Sequence, residues 1–165
     1  MIGLYTGLRL GDATGLKWED LDLKAGHYSL KTQKTGRHAL NPIAKPLLHH
    51  LVEVARTATG PYVCASFWNK ETKVLSKLFH ELLATAGLVE KKNYQDYQSD
   101  GDRRQYGGLS YHSLRHTLTS LLTNTGAPAA VTGDIVGHES EAMTRHYAKI
   151  DLETKRLAMD RLPVI

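Results

Sequence analysis

The chain has 165 residues, enough for one domain or at most two small ones with a core that needs no disulfide, and its 41% hydrophobic and 23% charged residues exclude a fibrous repeat or a disordered tail. Lys and Arg number 21 against 17 Asp and Glu, so the formal net charge is +4, compatible with a polyanion partner but too mild to name one. Cys64 is the single cysteine, Met1–Tyr5 carries no basic, then apolar leader, and no run of 18 apolar residues occurs; together these argue for a reducing, cytoplasmic setting and against secretion or membrane spanning.

Taken in chain order, the first structured segment is Thr6-Gly7-Leu8-Arg9-Leu10-Gly11-Asp12, where Arg9 falls at a helix N-terminus and Asp12, three residues on, is placed to orient it. No acidic residue occurs between Asp22 and Glu53, whereas Lys24, Lys31, Lys34, Arg37 and Lys45 all do, with His27, His38, His49 and His50. The basic excess is therefore local, and it reads equally as a phosphate-contacting patch or as a solvated basic face. Within it, residues 27–32 and 37–40 alternate as short strands around Lys34-Thr35-Gly36, which predicts a β-hairpin with Lys34 at its turn.

Beyond Asn41-Pro42 the apolar positions Ile43, Leu47, Leu48, Leu51, Val52 and Ala55 recur at helical spacing, and Leu75, Leu78, Phe79, Leu82, Leu83 and Ala86 do so again. Both faces are expected in the core. The stretch from Lys91 to Gly108 has no apolar period and reads as a long polar loop, its Asp100-Gly101-Asp102 group as a turn rather than a metal site. A helix is predicted from Ser110 to about Asn124 and Gly126, with Leu114, Leu118, Leu121 and Leu122 on one side. Pro128 opens a short helix through Val131 to Val136 that stops at Gly137; a further helix through Ala142, Met143 and Tyr147 and a terminal one over Leu152–Met159 complete the chain. The fold class is mainly α, or α+β, with one small antiparallel hairpin toward the N-terminal side.

His112 and Arg115 stand three apart on their helix and so project from neighbouring positions, an arrangement suited to gripping the non-bridging oxygens of a phosphate, because arginine offers a planar fork of donors and keeps its charge. On its own this pair is a weak signal and reads first as two exposed or rim-pairing side chains. His112 and His116 share a zinc-compatible spacing, but position 113 is Ser rather than Glu and no third ligand is evident. His49 and His50, adjacent on a helix, face apart, and Tyr111 suits packing or a hydrogen bond at its helix start. His138 follows a helix stop and precedes Tyr147 by nine residues.

The combination of Thr6-Gly7-Leu8-Arg9-Leu10-Gly11-Asp12 with the trailing Leu16–Asp22, Lys34-Thr35-Gly36, His112-Ser113-Leu114-Arg115-His116-Thr117, Gly137-His138 and Thr144-Arg145-His146-Tyr147 resembles the tyrosine recombinase, or phage integrase, family over nearly the whole chain. The resemblance implies a recombinase catalytic-domain fold over residues 1–165, with catalytic positions Arg9, Lys34, His112, Arg115, His138 and Tyr147. Arg9 and Arg115 would hold the non-bridging oxygens, His112 and His138 would donate hydrogen bonds with His112 also the base, Lys34 (with Lys31 its rival) would protonate the leaving 5′-oxygen, and Tyr147 would form a 3′-phosphotyrosyl link. Lys31, Thr35 and Arg37 are candidate DNA contacts and Asp12 the orienting carboxylate.

By the same resemblance, no metal and no cofactor is required, duplex DNA at a recombination site is the substrate, and other protomers join in a synaptic complex, expected as a tetramer on DNA. A bacterial, phage or mobile-element origin and a nucleoid-associated location follow. Only eight residues precede Arg9, so the chain is expected to be an N-terminally truncated catalytic domain lacking the DNA-gripping domain of its relatives. The amphipathic tail 152–165 is expected to dock on a neighbouring protomer or to fold back in cis. Two alternatives stay open: a DNA-binding or assembly fragment of a decayed integrase, and a type IB topoisomerase-like activity.

Overall fold

The computed structural model describes residues 1–90, 108–137 and 152–164. Residues 2–6 form a short helix, α1 (Ile2–Thr6), closed by Gly7, and Arg9 then caps α2 (Leu10–Thr14). A short helix thus lies ahead of Arg9. A 3-10 turn over Trp18–Asp20 leads into β1 (Leu21–Asp22), β2 (His27–Lys31) and β3 (His38–Pro42), an antiparallel sheet in the order β1-β2-β3. Tyr28 pairs with Leu21 on one side and Asn41 on the other, and Leu30 with Ala39, so the inward positions of the alternation are Tyr28, Leu30, Ala39 and Asn41.

Helices α3 (Lys45–Ala55), α4 (Thr72–Thr85), α5 (Tyr111–Asn124), α6 (Ala129–Val136) and α7 (Leu152–Met159) follow. Pro46 sits in the first turn of α3, where its missing N–H is harmless, and Ser110 caps α5 with a reciprocal bond from its own amide to Ser113 Oγ at 3.0 Å. Helix α1 packs on α5, α5 on α6, and α7 against both β3 and α6. The core that results joins Tyr5, Tyr28, Leu47, Leu51, Leu118 and Leu122, each almost fully buried. Removing a side chain of this size from water stabilises the fold by about 1.5–3 kcal/mol.

Two expectations are corrected. On α4 only Leu75 is buried; Val74, Leu78 and Leu82 are 44%, 38% and 62% exposed. The helix is anchored at one corner of its stripe, by Leu75 and by the edge-to-face contact of Phe79 with the Tyr111 ring at 5.3 Å, so the rest of the face is left uncovered. The second concerns α5, where Arg115 shares the innermost positions with Leu118 and Leu122, while Leu114 and Leu121 lie at the margin. The arginine is thus set into the apolar stripe itself, which the leucine positions alone did not include.

The terminal segment folds back on its own chain. Ala158, Met159 and Leu162 enter the core, Tyr5 Oη donates to the Pro163 carbonyl at 3.2 Å, and Arg156 Nη2 donates to the Ala25 carbonyl at 2.9 Å. Among the described residues no helix is long and apolar enough to cross a membrane.

Candidate functional site

Arg115 is the centre of the site. Although only 6% exposed, it extends its guanidinium between two main-chain carbonyls: Nη1 donates to Gly7 at 2.8 Å and Nη2 to Gly137 at 2.7 Å. Both acceptors belong to glycines that close helices in the left-handed region, Gly7 at φ 63° ending α1 and Gly137 at φ 73° ending α6. A residue with a Cβ is strained there, so glycine is what lets the two helices stop with these carbonyls turned to one side chain. The fork geometry of arginine fits two separated acceptors and still leaves N–H groups for a third oxygen.

Around this anchor lies a cleft lined by Arg9, Arg37 and Arg115 together with two carboxylates, Asp12 and Asp134, and with Tyr28, Thr35 and Gly137 among others. Burial, and after it the positive charges of Arg9 and then of Arg37, hold the Arg115 guanidinium below its ordinary range. Like charges gathered in a partly dry cleft repel one another, and an anion relieves that repulsion. Beneath them Tyr28 Oη receives the Asn41 amide at 3.1 Å, and the same amide nitrogen reaches the Ile135 carbonyl at 3.1 Å. Burial pushes the Tyr28 phenol up to about 12, so it stays a neutral hydroxyl in the floor of the cleft.

Asp12, 5% exposed, accepts the Gln33 backbone amide at 2.8 Å. Its described partner is therefore the hairpin loop next to Lys34, where the sequence pointed to Arg9; the carboxylate ties α2 to that loop. Lys34 stands exposed in the turn, and Lys31 is exposed at the end of β2. Thr35 Oγ1 and Thr32 Oγ1 are 2.9 Å apart across the loop.

His112 is exposed in the first turn of α5, its ring edge-on to that of His116 at 4.8 Å. Among the described residues no cluster of three or more His, Cys, Asp or Glu side chains is arranged for a metal ion. His138, Tyr147 and the helix expected around Tyr147 lie outside the described residues, as does nearly all of the Lys91–Gly108 loop. The structure thus brings Arg9, Asp12, Thr35, Arg37 and Arg115 to one cleft, while Lys34, Lys31 and His112 do not line it.

Sequence reasoning missed Asp134 and Lys155. Asp134 pairs with Arg37, whose Nη2 also donates to the Asp134 carbonyl at 2.9 Å, and with Lys155 Nζ at 2.7 Å. Lys155 carried a readable signal: with Leu152 three residues before it and Met159 four after, it falls on the apolar stripe of α7, an unusual place for a cation without a partner.

The three-dimensional arrangement is that of the catalytic domain of integrases. The integrase of mycobacterium phage Brujita aligns with a TM-score of 0.68 at 20% identity, covering 98% of this chain and 49% of that one. A lambda integrase tetramer bound to a Holliday junction aligns with a TM-score of 0.59 at 19% identity, covering 90% of this chain and 41% of that one. By sequence, the tyrosine recombinase XerA of Pyrococcus furiosus is 24% identical over 159 residues, 94% of this chain and 50% of the relative, so the chain spans about half the length of that curated protein. The model of the phage integrase family matches residues 1–153. The chain belongs to the phage integrase family.

Proposed function

We propose that this chain is the catalytic unit of a site-specific DNA recombinase that cuts and rejoins strands through a 3′-phosphotyrosyl intermediate on Tyr147. The observation that carries the reading is the fixed Arg115 guanidinium, clamped by Gly7 and Gly137 and sharing its cleft with Arg9 and Arg37. A phosphodiester under attack gains negative charge at phosphorus, and cations held in place before the reaction stabilise that charge without having to reorganise.

In this reading Arg9 and Arg115 bind the non-bridging oxygens and His138, which follows the clamped Gly137 directly in the chain, donates to one of them. Tyr147 Oη attacks phosphorus, the phosphorus to 5′-oxygen bond breaks, and the 5′-oxygen takes a proton from Lys34, which the exposed hairpin turn carries toward the DNA. A phenol with an ordinary pKa of about 10 needs help at neutral pH; His112 accepts its proton. The covalent link stores the bond for rejoining, so neither ATP nor a metal enters the scheme. Duplex DNA is the substrate, further protomers complete the assembly as in the lambda integrase tetramer, and the setting is the cytoplasm of a bacterium or the host of a mobile element.

A duplex with a nick beside the scissile phosphate traps the intermediate, because the freed fragment diffuses away. A denaturant-stable adduct is expected, lost in Tyr147→Phe. An adduct that survives that change overturns the assignment of the nucleophile, and relaxation of supercoiled DNA without strand exchange points to the topoisomerase-like alternative.

A further inference from the structure

Three charged side chains, from the hairpin loop, α6 and α7, meet at the edge of the cleft, which Arg37 and Asp134 line and Lys155 backs. Asp134 occupies the last turn of α6; one of its carboxylate oxygens pairs with Arg37 Nη2, and the other takes Lys155 Nζ at 2.7 Å. The same Nζ donates to the Leu40 carbonyl of β3 at 2.9 Å. Lys155 is the innermost of the three, with 8% of its side chain exposed against 27% for Arg37 and 29% for Asp134. The far end of Arg37 reaches the cleft beside Arg115, where its Nη1 lies 3.2 Å from the place a Cβ on Gly137 would take.

We propose that Arg37 is a phosphate-contacting residue of this cleft and that Asp134 and Lys155 are positioning residues for it, so that α7 sets the geometry of the site from behind. The inference rests on the strand-cleavage reading above. One turn of α6 holds two guanidinium groups at once, Arg37 through Asp134 and Arg115 through the Gly137 carbonyl. Because the carboxylate is divided between two cations, it fixes the direction of Arg37 without cancelling the positive charge of the pair. Lys155 is what prevents full neutralisation, since it occupies the second oxygen and is itself moored to β3. The ligand chemistry this suits is a phosphodiester whose non-bridging oxygen meets Arg37 Nη1, the terminal nitrogen turned toward Gly137 while Nη2 is held by Asp134.

The test uses the whole chain and the nicked duplex. Arg37→Ala is expected to slow adduct formation about a hundredfold, the effect of losing one fixed donor to a developing oxyanion, and to lower the slope of log binding constant against log salt by about 0.9, one phosphate's worth. Lys155→Met keeps the buried stem without the charge; it is expected to slow the adduct about tenfold when Arg37 is present, and by less than about twofold in the Arg37→Ala background. Lys155→Arg is expected to restore most of the rate. If Lys155→Met does not fold, the pair Asp134→Asn with Lys155→Met, which removes both charges and so leaves neither unpaired against the other, takes its place in the same cycle.

An Arg37→Ala chain that reacts at the parent rate overturns the inference, and so does a Lys155→Met loss of equal size in both backgrounds, which assigns Lys155 to the scaffold alone. If the parent chain forms no Tyr147 adduct, it is the strand-cleavage reading that fails, and the inference falls with it. An adduct in the parent chain that is indifferent to Arg37 removes this inference while leaving that reading in place.

Discussion

At the scale of single residues, Arg115 is unusual in using its two terminal nitrogens on main-chain carbonyls, at 2.8 and 2.7 Å, so its orientation is independent of any neighbouring side chain. Lysine cannot span both acceptors. Arg115→Lys is therefore expected to leave Gly7 or Gly137 without its donor, destabilising the fold by about 1–3 kcal/mol, and to reduce adduct formation at least about a hundredfold. Thermal unfolding and the nicked-duplex assay read the two effects separately; a lysine variant with unchanged rate would show that point charge alone suffices. Tyr28 gives a second expectation. Its phenol is pushed by burial from 10.0 up to about 12, so the native state keeps its proton where the unfolded chain has lost it. That difference is a contribution to stability present below about pH 10 and lost as pH rises through about 12. Melting temperature followed from pH 9 to 12 should fall, and fall less in Tyr28→Phe.

Among elements, α7 serves both the core and the site, because it supplies Ala158 and Met159 to the one and Lys155 to Asp134 beside the other. Ending the chain before Leu152 is expected to expose apolar surface, lower the melting temperature by more than about 5 °C and raise the binding of a hydrophobic dye; a truncated chain that melts with the parent would show that the tail merely rests on the fold. The bounds of α7 were readable from the spacing of Leu152, Leu157 and Met159, as were α3, α5, α6 and the hairpin, since each has enough residues for its period to repeat. Helix α1 and strand β1 were not, being five and two residues long. The exposure of α4 was hidden for a different reason: periodicity says that a face is apolar and is silent on whether anything covers it. At the site, Arg9 and Arg115 could be found because their motif is local, whereas the Gly7 and Gly137 acceptors are main-chain atoms that no side-chain pattern reports. The Arg37–Asp134–Lys155 group joins positions 97 and 21 residues apart, so only the tertiary fold assembles it.

For the molecule as a whole, the net charge of +4 conceals its distribution, because the acid-free run between Asp22 and Glu53 sets the hairpin cations beside the cleft of Arg9, Arg37 and Arg115. Contacts of this kind address phosphates, which are the same in every sequence, and each one releases condensed counterions when it forms. If the cations of the cleft and of the hairpin together neutralise about four phosphates, the slope of log binding constant against log salt should be about −3.6 for duplex DNA. Binding should then weaken about a hundredfold between 50 and 200 mM salt, and change little when the duplex sequence is scrambled. Fluorescence anisotropy with a labelled duplex measures both. The slope should flatten by about 0.9 for Arg37→Ala and by less for Arg9→Ala or Arg115→Ala, which share one phosphate, with Lys34→Ala the mildest in its effect on folding because that side chain is exposed in the turn. Tight binding that ignores salt would mean that apolar or base-edge contacts dominate, and the cleft of arginines would then need another anion to explain it.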